Sequence, residues 1–188
     1  MDGLVEKLGL ILKQIEQKIP DSFDLSKSAA VLILLVNHEG NWDILYTRRT
    51  NGVKTHQGEV SFPGGAWEPG DSNLAKTALR ETREEIGVAE ERIKLLGEMD
   101  PHLTVYGYTV VPFVGLLDSM SDLEINTEEV ERVFSIPLDW FLDRENYYTM
   151  DHELFGKMVK QVLHYKDYDG EHLWGLTARI TQDLLGRI

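Results

Sequence analysis

The chain begins with apolar residues at helical spacing. They fall within residues 4–19 and comprise Leu4, Leu8, Ile11, Leu12, Ile15 and Ile19. This spacing predicts an amphipathic helix over residues 1–19, because positions three and four apart share one face of a helix. The polar face mixes both signs of charge, which favours packing on the domain or on a second subunit over binding to a membrane.

Shorter apolar runs further along the chain predict strands. They lie at residues 28–36, 42–48, 60–62, 92–99, 106–117, 131–136, 159–165 and 172–174. Pro112 interrupts one of them and predicts an edge strand or a bulge, since proline has no N–H to donate to a neighbouring strand. A brief helix over residues 137–141 and a longer one over residues 176–185 are also predicted. We therefore expect an α/β fold with a mixed central sheet between helical layers.

Another helix is predicted between residues 71–73 and Gly87. The Asp-Ser-Asn sequence at residues 71–73 offers capping side chains, and glycine favours a helix end. Small and apolar side chains share one face at the 3.6-residue period, namely Ala75, Ala78, Leu79, Thr82 and Ile86. We expect this face to pack on the body of the protein.

Three glutamates occupy a face of the same helix turned well away from the apolar one. Glu81, Glu84 and Glu85 repel one another by roughly 0.2–0.5 kcal/mol per pair, and Arg80 offsets part of this. Grouped carboxylates suit Mg²⁺ or Mn²⁺ better than Zn²⁺. The Phe-Pro-Gly-Gly turn at residues 62–65 brings main-chain groups near them. Alone, each feature is more typical of a solvated helix face or an ordinary loop, but their order and separation make the combination far more specific.

Composition narrows the class of protein. A chain of 188 residues with 42% hydrophobic residues can bury a sizeable core. It has no cysteine, which excludes disulfides and thiol catalysis, and its net charge of −13 argues against nucleic acid or an anionic membrane as partner. The N-terminus lacks the pattern of a signal peptide, and the longest apolar run, residues 29–36, is too short to span a bilayer. We expect a cytoplasmic enzyme.

The stretch from Gly65 to Val88 resembles the Nudix box. That pattern is Gly, five residues, Glu, seven residues, then Arg-Glu-apolar-x-Glu-Glu-x-Gly-apolar, and its second half is matched by Arg80, Glu81, Glu84, Glu85, Gly87 and Val88. Thr82 takes an apolar position, and Asp71 takes the first acidic position, eight residues before Arg80 rather than seven. We interpret Asp71 as an acidic residue favourable at a helix N-terminus.

Residues 45–65 resemble the additional signature of the coenzyme A diphosphatase branch of that family. The signature is Leu-x-Thr-x-Arg, a further basic residue, then His-x-Gly-x-Val-x-Phe-Pro-Gly-Gly. Lys54 stands where the branch usually has arginine, so it keeps the charge but loses bidentate phosphate binding. Residues 174–180 are similar to the start of the branch's C-terminal helix. The resemblance implies one Nudix hydrolase domain over residues 1–188, an α/β/α sandwich with its core at residues 29–185.

The resemblance also implies a metal site on the glutamate helix. By it, Glu81 and Glu85 are metal ligands with Glu84 close behind, and the main-chain carbonyl of Gly65 completes the set for Mg²⁺ or Mn²⁺. Glu81 and Glu84 are also candidates for the catalytic base. Arg80 is expected to orient a glutamate rather than touch substrate, which agrees with its place four residues before Glu84.

A more distant acid and a basic segment complete the predicted site. Glu128 and Glu129, in a predicted loop, are alternative candidates for the base, although solvated acids are common in such loops. The substrate-binding candidates are the basic and glycine residues upstream of the helix: Arg48, Arg49, Lys54, His56, Gly64 and Gly65. Since the whole chain is acidic, local cations must attract an anionic substrate. The alternative is an exposed loop of ordinary solvated charge.

Three hypotheses for function remain. The first is a coenzyme A diphosphatase that releases 4′-phosphopantetheine and adenosine 3′,5′-bisphosphate. The second is hydrolysis of another nucleoside diphosphate derivative, such as NADH, ADP-ribose or a dinucleoside polyphosphate. The third is a non-catalytic nucleotide-binding sensor domain, against which the complete glutamate set speaks. The segment at residues 45–65 favours the first over the second. The expected partner is a small nucleoside diphosphate substrate, and a homodimer is left open.

Overall fold

A mixed β-sheet forms the centre of the fold in a computed structural model that describes residues 2–15, 24–38, 40–52, 56–154 and 156–188. Its strands are β1 (Ser28–His38), β2 (Asn41–Arg49), β3 (Val60–Ser61), β4 (Gly64–Ala66), β5 (Ile93–Glu98), β6 (His102–Leu103), β7 (Thr109–Leu117) and β8 (Val130–Pro137). β1 runs parallel to β7, and the neighbouring pairs β1–β2, β5–β7 and β2–β8 are antiparallel. The sheet is therefore mixed, as predicted.

Helices cover both faces of the sheet. They are α1 (Asp2–Ile11), α2 (Leu74–Ile86), α3 (Leu138–Leu142) and α4 (Gly175–Leu185). Side chains of β1 alternate between the two faces: Leu32 and Leu34 pack with the apolar face of α2, whereas Ile33 and Leu35 pack with side chains of α1, α3 and α4. This arrangement confirms the predicted α/β sandwich. None of the helices in the described ranges combines the length and apolarity needed to cross a bilayer.

The sheet opens at one end, between β1 and β2. The two strands pair near their hairpin, where Leu35 lies opposite Ile44. Nearer the start of β1, its neighbour on that side is β4, with Ala30 opposite Gly65, while β2 pairs with β3. The carbonyl of Pro63 accepts a hydrogen bond from the N–H of Leu32 at 2.8 Å. The glycine turn is thus built into the opening between two strands.

The N-terminal helix is shorter than predicted. α1 ends at Ile11, and Lys13 instead pairs with Glu98 of β5 through two N–H···O bonds of 3.0 Å. The backbone is extended at Lys13 because it pairs with β5 on the side away from β7. The spacing of apolar residues did not predict this pairing. Residues 16–19 of the predicted helix lie outside the described residues.

The prediction that Pro112 marks an edge strand is wrong. β7 lies inside the sheet, between β1 and β5. Proline is tolerated because the neighbouring chain passes from β5 to β6 at this point: Phe113 pairs with Glu98, and Val110 pairs with His102. The nearby bulge lies in β5, between residues 95 and 97, rather than at the proline.

A separate hairpin follows α3. It comprises β9 (Tyr147–Leu154), which was not predicted, and β10 (Lys157–Tyr165). The strand predicted at residues 172–174 is reduced to a single bridge between His164 and Trp174. The alternation along β9 is obscured by polar residues on its exposed face, so the sequence pattern there is weak.

Three histidines form a hydrogen-bonded chain, two of them on this hairpin and the third, His172, in the segment that follows it. The Nε2 atoms of His152 and His164 are 2.8 Å apart, and Nδ1 of His164 is 3.0 Å from Nε2 of His172. The Nδ1 atom of His172 lies 2.8 Å from Oδ1 of Asp167. His164 is buried, with its ring stacked on Trp174, and burial followed by the neighbouring histidines lowers its pKa. The native state therefore favours neutral His164.

We expect the hydrogen-bonded histidines to make the protein less stable in mild acid. In the unfolded state His164 takes up a proton near its ordinary pKa of about 6.5, whereas the folded state resists protonation, so the free energy of unfolding falls as pH drops below that value. Melting temperatures measured from pH 7.5 to 5.5 should fall more steeply for wild-type protein than for His164→Asn. The exposed His38→Asn serves as control. Equal slopes for wild type and His164→Asn would contradict the assignment.

Candidate active site

Helix α2 carries the acidic residues and is defined at both ends by caps. The side chain of Asn73 accepts a hydrogen bond from the N–H of Lys76 at 2.9 Å, and Asn73 is the N-cap. Gly87 ends the helix in the left-handed conformation, with φ of 71°, which glycine adopts at low cost. The expected apolar face is buried, with Ala78 and Ile86 fully enclosed.

The interpretation of Asp71 as a favourable charge at the helix N-terminus is wrong. Its carboxylate accepts from Nε and Nη2 of Arg80, both at 3.1 Å, from the hydroxyl of Thr77 at 2.9 Å and from the N–H of Glu68 at 3.1 Å. Burial raises the pKa of Asp71, but these hydrogen bonds outweigh it, and the net pKa lies below its usual value. Asp71 therefore acts as an anchor for Arg80.

Arg80 joins the helix to the glycine turn. Its Nη1 donates to Glu81 at 3.0 Å and to Glu84 at 3.1 Å, while its Nη2 donates to the carbonyl of Ala66 at 3.0 Å. With Asp71 on its other edge, the guanidinium is fixed on every side by hydrogen bonds. This geometry allows Arg80 to position the carboxylates of Glu81 and Glu84.

We expect Asp71→Asn to destabilise the protein. An amide leaves the partly buried Arg80 guanidinium without its charged acceptor, so the free energy of unfolding at pH 7 should fall by about 1–3 kcal/mol in denaturant titrations. Because the folded pKa of Asp71 is depressed, its stabilisation is present above about pH 4 and disappears as pH falls through the folded pKa. The exposed Asp122→Asn is the control, within about 0.5 kcal/mol of wild type. An Asp71→Asn protein as stable as wild type would refute the anchor.

Glu85 is buried, although the helical period places the three glutamates on a face turned well away from the apolar one. Its side chain is 2% exposed and enters the opening in the sheet, where it accepts from the N–H of Gly64 at 3.3 Å and lies 3.4 Å from Nη1 of Arg49. Burial raises its pKa to about 8, and the charges of Glu81 and Glu129 add to this, against the lowering by Arg49 and Gly64. Burial thus disfavours the ionised form of Glu85, and a nearby cation would favour it.

Glu81 lies directly beneath the glycine turn. A Cβ atom on Gly65 would come within 2.5 Å of Oε1 of Glu81, so a side chain at this position would displace the Glu81 carboxylate from its place beside the turn. Burial raises the pKa of Glu81, with Arg80 opposing and the charges of Glu84 and Glu129 adding. Glu84 is the outermost of the three, with its side chain 49% exposed.

The carboxylates of the glutamate helix and the carbonyl of Gly65 are ligand types that suit a divalent cation, although their side chains are not arranged around an ion. Within the described residues, no three His, Cys, Asp or Glu side chains lie in an arrangement that could hold a metal ion. The carboxylates of Glu81 and Glu85 face Arg80 and Arg49 instead. Both have raised pKa values because of burial, so a nearby cation would stabilise their charged forms. Carboxylate oxygens beside a main-chain carbonyl are the ligands that Mg²⁺ and Mn²⁺ prefer.

A fourth carboxylate, Glu129, reaches the same place from a loop. The loop packs on the end of α2, where the N–H of Asn126 donates to the carbonyl of Glu85 at 2.9 Å. Glu129 is half-buried, and its charge raises the pKa of both Glu81 and Glu85. The neighbouring Glu128 is exposed. Of the two loop acids considered from the sequence, Glu129 is therefore the one near the glutamate helix.

The predicted substrate-binding residues are only partly brought together. Arg49 contacts Glu85, but Arg48 points to Glu171 and Glu131, with N–O distances of 3.0 Å to each. Adjacent residues of a strand face opposite sides, so this separation follows from the strand period. The carboxylate of Glu171 is also bound by Arg132 at 2.8 Å. Sequence reasoning missed this network because its members are far apart in the chain.

The remaining members of the basic segment lie between β2 and β3. His56 is described, and its Nδ1 lies 2.7 Å from Oε2 of Glu59, a contact that raises the pKa of His56. Lys54 falls outside the described residues. Gly64 and Gly65 form β4 beside the glutamates. The binding roles of these residues stay predictions.

Comparison with known proteins identifies the family. The family model of the NUDIX domain matches residues 26–154. The Nudix hydrolase NudL of Yersinia enterocolitica is 34% identical over 175 residues, covering 93% of this chain and 89% of that protein. Nudix hydrolase 15, mitochondrial, of Arabidopsis thaliana is 36% identical over 169 residues, covering 87% of this chain and 59% of that protein.

Solved structures agree on the fold. A MutT/nudix family protein from Enterococcus faecalis has a TM-score of 0.55 at 20% identity, covering 91% of this chain and 64% of that one. An Ap4A hydrolase from C. elegans in a binary complex has a TM-score of 0.51 at 20% identity, covering 59% and 80%. The family match and the relatives show that this chain belongs to the Nudix family of hydrolases.

Proposed function

We propose that this Nudix hydrolase cleaves the diphosphate linkage of coenzyme A or its derivatives, releasing 4′-phosphopantetheine and adenosine 3′,5′-bisphosphate. The observation that carries the proposal is the meeting of buried carboxylates with the glycine turn that ends the segment at residues 45–65. Glu85 and Glu81 lie against Gly64 and Gly65 of that turn. The segment that resembles the coenzyme A branch thus leads directly into the acidic cluster.

The metal site is proposed to comprise Glu81, Glu84, Glu85 and the carbonyl of Gly65, with Mg²⁺ or Mn²⁺ as the ion. When bound, such an ion neutralises charge on the diphosphate oxygens and lowers the pKa of water. Arg80 holds Glu81 and Glu84 in place, and Asp71 holds Arg80. This support keeps the carboxylates in position before substrate arrives.

Glu129 is our candidate for the catalytic base. Its loop position leaves it outside the hydrogen bonds of Arg80, so its carboxylate can accept a proton from the attacking water. As the water oxygen bonds to one phosphorus, the bridging P–O bond breaks and the displaced phosphate leaves with the bonding electrons. Two phosphomonoesters result, and the proton passes to Glu129 and then to solvent.

We assign substrate recognition to the basic side chains of Arg49, Lys54 and His56. Arg49 lies beside Glu85, while Lys54 and His56 belong to the following segment. The lysine in place of the branch's arginine supports a second candidate function, hydrolysis of another nucleoside diphosphate derivative such as ADP-ribose, because phosphate binding by lysine is less directional.

A comparison of substrates tests the proposal. Values of kcat/KM should be measured in one assay, with Mg²⁺ and with Mn²⁺, for coenzyme A, its thioesters, NADH, ADP-ribose and diadenosine polyphosphates. We expect coenzyme A or a thioester to rank first. A clear preference for another compound would replace the coenzyme A assignment with the second candidate, and turnover of none of them would reject both.

A further inference from the structure

Two loops bring aromatic rings together beside the candidate active site. The rings of His56 and Tyr106 have centroids 6.0 Å apart and planes inclined at 84°. His56 belongs to the segment between β2 and β3, and Tyr106 to the turn between β6 and β7. The contact joins the basic segment to a turn that no sequence motif singled out.

The β6–β7 turn holds its aromatic residues outward on a fixed backbone. Tyr108 donates its N–H to the hydroxyl of Thr104 at 2.9 Å, and its carbonyl accepts from the N–H of Thr104 at 2.8 Å. Gly107, with φ of 80°, closes the turn by donating to the carbonyl of Thr104 at 3.0 Å. Tyr106 remains 51% exposed at the tip. Val105 and Tyr108 beside it are also exposed, and exposed apolar side chains grouped in this way mark a binding surface.

His56 is held as firmly on its own side. It has a φ of 58°, which is uncommon outside glycine, and its Nδ1 is tied to Glu59. The same segment follows Arg49, the last residue of β2, which contacts the buried Glu85. A strained backbone at this point is consistent with a ring placed for binding.

The register of the sheet places this corner within reach of the glutamates. Ala30 of β1 pairs with Gly65 on one side and with Val111 of β7 on the other. Gly65 and Val111 are therefore two strand spacings apart, roughly 10 Å. The Tyr106 turn projects beyond the start of β7, at the end of the sheet where the glycine turn lies. The Tyr106 turn and the glycine turn beside the glutamates therefore lie at the same end of the sheet.

We propose that His56 and Tyr106 form a binding corner for the nucleobase of the substrate. The inference rests on the proposed function, because it takes the diphosphate to lie at Glu81 and Glu85. A flat base stacked on one ring of a perpendicular pair presents its edge to the other ring, and both contacts are favourable for aromatic groups. The flexible apolar arm of a substrate gains no such benefit from crossed rings. Tyr106 is thus assigned to substrate selection rather than to the chemical step.

Equilibrium binding tests the inference apart from turnover. Dissociation constants for ADP, which carries a base, and for inorganic pyrophosphate, which does not, should be measured by calorimetry with Mg²⁺ present. Stacking is worth about 1–3 kcal/mol per base, so Tyr106→Ala should weaken ADP binding by roughly 5- to 150-fold. Pyrophosphate binding should change by less than about twofold, because it makes no contact with the ring. Tyr106→Phe should keep ADP affinity, since the ring remains.

The controls separate the possible outcomes. Tyr148→Ala removes another exposed tyrosine, on the β9–β10 hairpin, and should leave both ligands unaffected. Unchanged ADP binding in Tyr106→Ala, or an equal loss of ADP and pyrophosphate, would overturn the nucleobase corner. A selective loss of ADP binding would support it even if every diphosphate in the substrate comparison proved resistant to hydrolysis, a result that would reject the proposed function alone.

Discussion

Replacing Glu85 with glutamine should lower kcat for the best diphosphate substrate at least about 100-fold, at saturating Mg²⁺. Glutamine has nearly the same shape and can still accept from the N–H of Gly64. It has no negative charge, and Glu85 is the most deeply buried carboxylate of the predicted metal set. Burial penalises the ionised form of Glu85, so a neutral amide should not unfold the metal-free protein.

A stability measurement complements the rate. Mg²⁺ should raise the melting temperature of wild-type protein, because ligands that bind the folded state stabilise it, and Glu85→Gln should lose most of this rise. The matched control is Glu91→Gln, an exposed glutamate just beyond the same helix, which should keep both the rate and the rise. Near-native turnover of Glu85→Gln would remove Glu85 from the metal site.

Glu129→Gln should lower kcat by about 10²- to 10⁴-fold, the range expected for loss of a general base. Glu129 is proposed as the catalytic base and not as a metal ligand. The rise in melting temperature with Mg²⁺ should therefore persist in Glu129→Gln, in contrast to Glu85→Gln. The amide can still accept from the side chain of Asn126, so the loop should hold its conformation.

The adjacent Glu128→Gln is the matched control for the base. Glu128 is exposed, whereas Glu129 is half-buried and electrostatically close to Glu81 and Glu85. We expect Glu128→Gln to retain turnover within about twofold. If Glu128→Gln and Glu129→Gln both kept full activity, the base would have to be sought among the helix glutamates, as the sequence also allowed.

Periodic patterns predicted much of the fold. The apolar face of α2, its ends at Asn73 and Gly87, and the paired strands β1 and β2 follow from side-chain period and capping preference. These signals are local, so the sequence contains them directly. The place of β7 inside the sheet is not local, because it depends on which strand lies opposite Pro112.

The sequence predicted which residues form the candidate site, but it did not predict which of them are buried. The helical period placed Glu81, Glu84 and Glu85 together, yet it could not show that α2 fills an opening in the sheet and buries Glu85 alone. Asp71 was misread because its partner Arg80 is nine residues away, beyond the range of capping rules. The contact between His56 and Tyr106 joins two loops, so no local pattern records it.

Product analysis with coenzyme A tests the central claim most directly. Wild-type protein should be incubated with coenzyme A and Mg²⁺ or Mn²⁺ in ¹⁸O-labelled water, and the products identified by mass spectrometry. We predict equal amounts of 4′-phosphopantetheine and adenosine 3′,5′-bisphosphate, one ¹⁸O atom incorporated per cleavage into one of the two, and no products when the metal is chelated. Intact coenzyme A with either metal, or release of the 3′-phosphate in place of diphosphate cleavage, would contradict it.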